Sequence, residues 1–346
     1  MVLQNVRAPS WTKPATTHGS SLLLGCDQAL LAPGHVLQKL SQFPRFAMNS
    51  ASRLTPYLFL APAAIIMVVA LLYPLGYMVY GSFRDWNPSQ TIGESEFVGL
   101  RNYIFLFSDS AFRESLSVTL IFAAAVVFAE LFIGVSLALL LDRNIRGMSL
   151  LRTLFILPMM IAPVVVGLMW RFMYHPTVGT FNRWLEAIGI EGVDWLGEHA
   201  LLSVIVADVW QWTPFIFILS LAALQSLPRS ALEAARIDGA TGWQQILHIK
   251  LPLMMPVLIV TGLLRLIDAF KVLEVILVMT EGGPGLSTEI LALRISRTAT
   301  EFRELGVAAA MSNYLLLLLL ILTLAMFAIT KIQEKRATRL ARLIQE

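Results

Sequence analysis

Residues 233–252 read EAARIDGATGWQQILHIKLP, and they lie between two long apolar runs. The stretch is polar and helix-prone. It carries Gly239 in its middle and ends on Pro252, which opens the next apolar run. Pro228 or Ser230 suits a helix start, because proline fits the first helical turn. Ser230 to Glu233 has the spacing of a capping box, with Glu233 three residues after the cap. Ala231, Ala234 and Ala235 leave a small surface that permits close approach. Gly239 permits a backbone reversal that a β-carbon would hinder. Trp243, Ile246 and Leu247 then form an apolar stripe at helical spacing. A polar island of this kind between apolar runs reads as a loop joining two membrane spans.

The rest of the chain supports that reading. It is 57% hydrophobic and 14% charged, whereas soluble domains carry about 25% charged residues. A spanning helix needs about 20 predominantly apolar residues. Six segments qualify: 57–80, 116–141, 150–173, 201–224, 252–279 and 306–329. None alternates with period two, as a barrel strand would. The expected fold is all-α, a polytopic membrane bundle of about six helices, because backbone groups in lipid must bond within their own segment. The net charge of +3 is too small to imply nucleic acid as a partner. Cys26 is the single cysteine, so no internal disulfide forms.

Orientation follows from where Lys and Arg sit. The N-terminal tail, the loop after the second span, residues 226–252 and the C-terminal tail hold 16 of the 26 basic residues. The opposite side holds seven, and Arg171, Arg265 and Lys271 fall in spans. Both termini and residues 226–252 are therefore expected in the cytoplasm. Residues 1–51 read as a disordered tail, rich in proline early and without sustained periodicity; Leu22-Leu23-Leu24 is too short for a signal-peptide core. Met48, followed by Asn49-Ser50-Ala51-Ser52-Arg53, has the look of an alternative start. Residues 52–332 form the membrane domain, and 333–346 form a basic cytoplasmic tail.

The spacing of Glu233-Ala234-Ala235, Gly239, Ile249 and Leu251-Pro252 resembles the EAA loop of permease subunits in binding-protein-dependent ABC importers. Other segments agree in order. Pro62, Pro74, Ser82-Phe83 and Asp85-Trp86-Asn87 are similar to the first span and exit of sugar-type permeases. Phe97-Val98-Gly99-Leu100-Arg101-Asn102-Tyr103 is similar to their first external loop. Leu157-Pro158, Pro163, Gly167, Trp170-Arg171, Gly179 and Asn182 follow in register, then Ile267-Asp268-Ala269-Phe270-Lys271-Val272 and Gly282-Gly283-Pro284-Gly285. The resemblance is to the group containing the first maltose and glycerol-3-phosphate permease subunits. Glu281 and Glu274 depart from that group's usual residues.

The resemblance implies a multi-pass protein of the bacterial inner membrane that couples to a separate ATPase through Glu233, Ala234, Ala235, Asp238, Gly239, Ile249, Leu251 and Pro252. It implies three kinds of protein partner besides membrane lipid: a second EAA-type permease, two ABC ATPase subunits that bind ATP and Mg, and an extracytoplasmic solute-binding protein. The residues themselves are consistent with a subunit holding no cofactor. No P-loop pattern and no Gly-Lys dipeptide occurs, so ATP must be bound elsewhere. His18, His35, His175, His199 and His248 are scattered, none at metal-ligand spacing. No nucleophile–base constellation supports an intramembrane enzyme, and no inverted repeat supports a secondary transporter.

Candidates for a substrate pathway are the polar residues within spans. Span five carries Arg265, Asp268, Lys271 and Glu274, alternating in sign every third residue. They read either as a polar wall of the pathway or as internal pairs anchoring the helix. Span four carries Asp208, Trp210, Gln211, Trp212 and Pro214. Aromatic faces beside amides and carboxylates suit a sugar; an aromatic belt with a proline kink is the alternative. Asn313 and Glu130 are further buried polar candidates, and Pro158 and Pro163 are expected to kink span three. The substrate class expected is a sugar, polyol or related carbohydrate.

Overall fold

The computed structural model describes residues 55–142 and 147–345. The N-terminal tail with its alternative start, and Arg143 and Arg146, lie outside the described residues. Of the described residues, those from 55 to Val68 belong to one unit and those from Val69 to a second. The described part of the first is the opening of helix α1, Thr55–Ser82. The packing below is that of the second unit.

After α1 the chain makes a two-stranded antiparallel hairpin, β1 (Arg84–Asp85) pairing Arg84 with Phe97 and Asp85 with Glu96 of β2 (Glu96–Phe97). A short helix α2 (Arg101–Ser108) leads into α3 (Ser110–Leu141), whose first turn is capped by the Asp109 carboxylate accepting from the amides of Ala111 and Phe112. Next come α4 (Met148–Ile156), a 3₁₀ turn (Leu157–Met160), α5 (Pro163–Met173) and α6 (Thr180–Ala187). Helix α7 is Ala200–Gln225, and α8 (Arg229–Ile237) with α9 (Gly242–Gln245) forms the polar loop. A π turn (Ile246–Lys250) joins α9 to α10 (Leu251–Ala269). Helices α11 (Glu274–Met279), α12 (Leu291–Thr300) and α13 (Leu305–Gln345) complete the chain. The basic tail at 333–345 continues α13.

Among the described residues five helices are long and apolar enough to cross a membrane, and a bent pair makes a sixth. Two spans differ from the expectation. Span three is not one kinked helix: the axis turns by 99° between residues 152–160 and Pro163–Met173. Pro158 and Pro163 each remove an amide donor within six residues, and the chain between them leaves the α form. Span five was expected to run to Met279, but the helix stops at Ala269 and resumes at Glu274. Irregular backbone at membrane depth is tolerated where it is buried in protein or lines a wet cavity. The high density of charge from Arg265 to Glu274 provides such a setting.

The core lies where α3, α7 and α10 meet. Phe122, Val126, Val204, Ala207, Phe270 and Ile276 are nearly or fully buried there. Helices α3 and α7 approach so closely at Gly134 that an added β-carbon would stand 2.8 Å from the Ile216 side chain. A small residue lets two backbones pack this tightly in lipid, where no hydrophobic force drives helices together. Outward faces remain apolar, with Phe128 and Phe132 exposed on α3 and Leu264 on α10.

Candidate functional site

The polar loop is built by two complementary stop and start devices. Helix α8 opens after Pro228, with no side chain capping it. The expected capping box at Ser230–Glu233 is therefore not formed. Pro228 sets the boundary, which places Ser230 inside the first turn rather than at the cap. At the other end the amides of Gly239 and Ala240 donate back to the carbonyls of Arg236 (3.1 Å) and Ala235 (2.9 Å). That pair of bonds is a Schellman motif, and it needs the left-handed backbone that Gly239 adopts at φ +78°. Two residues later Thr241 and Gln244 form the loop's real capping box: the Thr241 amide donates to Gln244 Oε1 at 2.8 Å, and Thr241 Oγ1 accepts from the Gln244 amide at 3.3 Å. The chain thus ends one helix and starts another within four residues.

From Gly242 the helix continues through the π turn into α10 without a break, past Pro252. Pro252, expected to begin a new helix, lies inside a continuous one. Of the loop residues singled out by sequence, Glu233, Ala234, Asp238, Gly239 and Pro252 are exposed, Ile249 and Leu251 are half-buried, and Ala235 is buried. Lys250 pairs with Asp142, at the end of α3, across 3.9 Å. Two large apolar side chains stand in the open, Trp243 at 68% and Ile237 at 86% exposure. The apolar stripe pointed to Trp243. Ile237 was missed because it is flanked by Arg236 and Asp238 and belongs to no stripe.

The second candidate region is a buried ionic cluster joining three helices. Arg265 of α10 is almost wholly enclosed, and its guanidinium meets three carboxylates. Glu130 of α3 approaches Nε at 2.7 Å, Asp208 of α7 binds Nη2, and Asp268 accepts from Nη1 at 3.3 Å. The Glu130 contact is an ion pair without an aligned hydrogen bond, and Asp208 Oδ1 finds no hydrogen-bond partner. Glu130 and Asp208 also lie within reach of each other. Both are acceptors, so neither satisfies the other unless a proton bridges them. The Trp212 ring lies 5.3 Å from the guanidinium.

A cavity of 190 Å³ opens beside this cluster, lined by Asp208, Trp212, Asp268, Lys271, Val272 and Glu274 among others. Pro163, the first residue of α5, also borders it. The cavity therefore lies where spans three and five are both interrupted. Asp268 is 43% exposed and Lys271 and Glu274 are exposed. Asp268 pairs with Arg265 rather than with Lys271, which makes no ion pair among the described residues.

The structure gathers Asp208, Arg265, Asp268 and Lys271 here but places three other candidates elsewhere. Gln211 donates to the Ile161 carbonyl at 3.1 Å, satisfying backbone freed by the bend in span three. Trp210 packs edge-on against Trp170, with ring centroids 5.8 Å apart, and lines a 770 Å³ apolar cavity with Pro158 and Pro214. Trp212, two residues on, is the aromatic that faces the charged cavity. Asn313 donates to the Tyr103 hydroxyl at 3.0 Å, and that hydroxyl meets Ser82 Oγ at 2.8 Å. Glu281, one of the two departures noted in the sequence, adopts φ +53° and pairs with Arg171 at 3.3 Å. Arg171 also donates to the Val278 carbonyl at 2.8 Å, tying α5 to α11.

Residues 97–339 match the family described as binding-protein-dependent transport system inner membrane component. The chain is 36% identical over 271 residues to the trehalose/maltose transport system permease protein MalF of Thermococcus litoralis, covering 78% of this chain and 90% of that protein. It is 35% identical over 284 residues to the sn-glycerol-3-phosphate transport system permease protein UgpA of Salmonella typhimurium, covering 80% and 94%. A probable ABC transporter permease protein, y4oQ of Sinorhizobium fredii, is 37% identical over 73% of this chain and 82% of its own length. In fold the chain is similar to a subunit in the crystal structure of a bacterial ABC transporter importing the acidic polysaccharide alginate, with a TM-score of 0.70 over 80% of this chain and 94% of that one, at 23% identity. With its helical membrane architecture and the family match over residues 97–339, this chain belongs to the binding-protein-dependent transport system inner membrane component family, as a multi-pass membrane permease.

Proposed function

We propose that the chain forms half of the translocation pathway of an ATP-driven importer for a sugar, polyol or related carbohydrate. The observation that carries this reading is the unbroken helix from Gly242 to Ala269. One end begins in the exposed loop and the other holds Arg265 and Asp268 beside the charged cavity. At about 1.5 Å per residue, Arg265 lies roughly 35 Å along the helix from Gly242. A rigid rod of that length carries displacement from the loop to the cavity. The loop, with Glu233, Ala234, Ala235, Asp238, Gly239, Ile249, Leu251 and Pro252, is the docking element for a separate ATPase, and Trp243 and Ile237 supply apolar anchors for it. ATP and Mg are bound by that partner.

One loop serves one docking groove, whereas paired ATPase subunits present two. The assembly is therefore this chain, a second and different permease, two ATPase copies and an external binding protein. Alternating access then follows from two packings of the bundle selected by nucleotide. Relatives named for trehalose/maltose and for glycerol phosphate support carbohydrate-type cargo. Purification of the tagged chain from its native host, followed by native mass spectrometry, is expected to give one copy of each permease and two of the ATPase. An active homodimer of this chain without a second permease would contradict the reading.

A further inference from the structure

The two relatives named for a cargo leave its charge open, and the cavity beside Arg265 bears on it. Its lining includes Asp208, Asp268 and Glu274 against Lys271 alone. The one guanidinium nearby is already shared by Glu130, Asp208 and Asp268. The lining carboxylates thus outnumber Lys271, and Arg265, at 1% exposure, is enclosed and engaged. An anionic ligand would meet excess negative potential and find no free guanidinium to chelate it. A hydroxyl-rich ligand meets acceptors instead. Asp268 is half-open to the cavity, and the Trp212 ring supplies an apolar wall. At 190 Å³ the space is smaller than the ~300–1,000 Å³ of sites that enclose a whole small molecule. It has the size of one wall of a pathway shared with a second subunit.

We infer that this cavity selects uncharged, hydroxyl-bearing cargo against anions, with Asp268 and Glu274 as the specificity-determining residues. The inference rests on the proposed pathway. It does not require the cargo to be known, because the potential of the cavity is itself measurable. Val272 borders the cavity and carries no charge. Val272→Cys, with Cys26→Ser, in the assembled transporter is to be reacted with a cationic trimethylammonium methanethiosulfonate and with the anionic sulfonate analogue. Rates are taken with and without trapped ATP and normalised to a free thiol.

In a state where the cysteine reacts, the cation should be favoured by about threefold or more, as expected for one uncompensated charge within a Debye length. Asp268→Asn with Glu274→Gln should bring the ratio close to one. Asp268→Asn should also lower uptake while assembly stays at the wild-type level, since Arg265 keeps its two buried partners. A normalised ratio at or below one in a reactive state would overturn the charge selection while leaving the pathway in place. A ratio unmoved by the double substitution would remove Asp268 and Glu274 from the role. A cysteine inert in both nucleotide states would overturn the pathway reading, and this inference with it.

Discussion

The two ends of α10 behave in opposite ways. Toward the polar loop, where Pro252 was expected to start a helix, the chain is helical from Gly242 onward. Toward the cavity, where the apolar run was expected to continue to Met279, the helix stops at Ala269. Hydropathy is uninformative at both ends. Pro252 lacks an amide donor, and the π turn at Ile246–Lys250 ends two residues before it, inside the continuous helix. At the far end the helix is interrupted between Asp268 and Glu274, beside the charged cavity. One end is thus a stiff extension and the other is a joint.

The largest effect is expected at the joint. Arg265→Met removes the one cation facing Glu130 and Asp208, leaving two buried carboxylates unpaired. Loss of a partner from a buried ionic cluster destabilises by about 3–5 kcal/mol. The amount of monodisperse protein in detergent, read by fluorescence-detected gel filtration, should fall sharply. A normal yield would mean that the cluster is hydrated and that the joint does not depend on it.

At the stiff end Gly239→Val should leave the chain inserted but impair coupling. Valine at φ +78° is strained by about 1–2 kcal/mol, and relief of that strain re-aims α8 relative to α9. Uptake should drop severalfold or more with membrane levels unchanged. Wild-type uptake would separate the loop geometry from coupling. The mildest change is Thr241→Ala, which deletes half of a capping box worth about 1 kcal/mol. A small fall in thermal stability and a modest fall in uptake are expected, and no fall in either would show that α9 is held by α10 alone.

Much of the bundle was legible because length and apolarity are local properties. The spans around 57–80, 116–141, 201–224 and 306–329 appear as helices α1, α3, α7 and α13. The reversal at Gly239 was also legible, since few residues tolerate its backbone angle. The ionic cluster was not. Glu130 reaches Arg265 from 135 positions away, and nothing local distinguishes it from a lone polar residue in a span. The regular spacing from Arg265 to Glu274 suggested pairs on one continuous helix and so concealed the joint. Trp210 and Trp212 are equivalent as composition; only the packing of α7 turns the first toward Trp170 and the second toward Arg265. The Gln211 side chain suggested a ligand contact, but its partner is a carbonyl that the bend in span three exposes.

Gly242–Ala269 is expected to move as one body, with the chain bending beyond it. Pulsed electron–electron spin resonance tests this in the assembled transporter, with Cys26→Ser and label pairs at Leu247→Cys with Leu264→Cys, and at Leu247→Cys with Leu277→Cys. All three leucines are exposed. The first pair spans 17 residues, about 26 Å along a helix, and its distance should be the same with and without trapped ATP. The second pair crosses the interruption at 270–273, and its distance should shift between the two states. A change within the first pair, or an identical distance for the second in both states, would contradict the account.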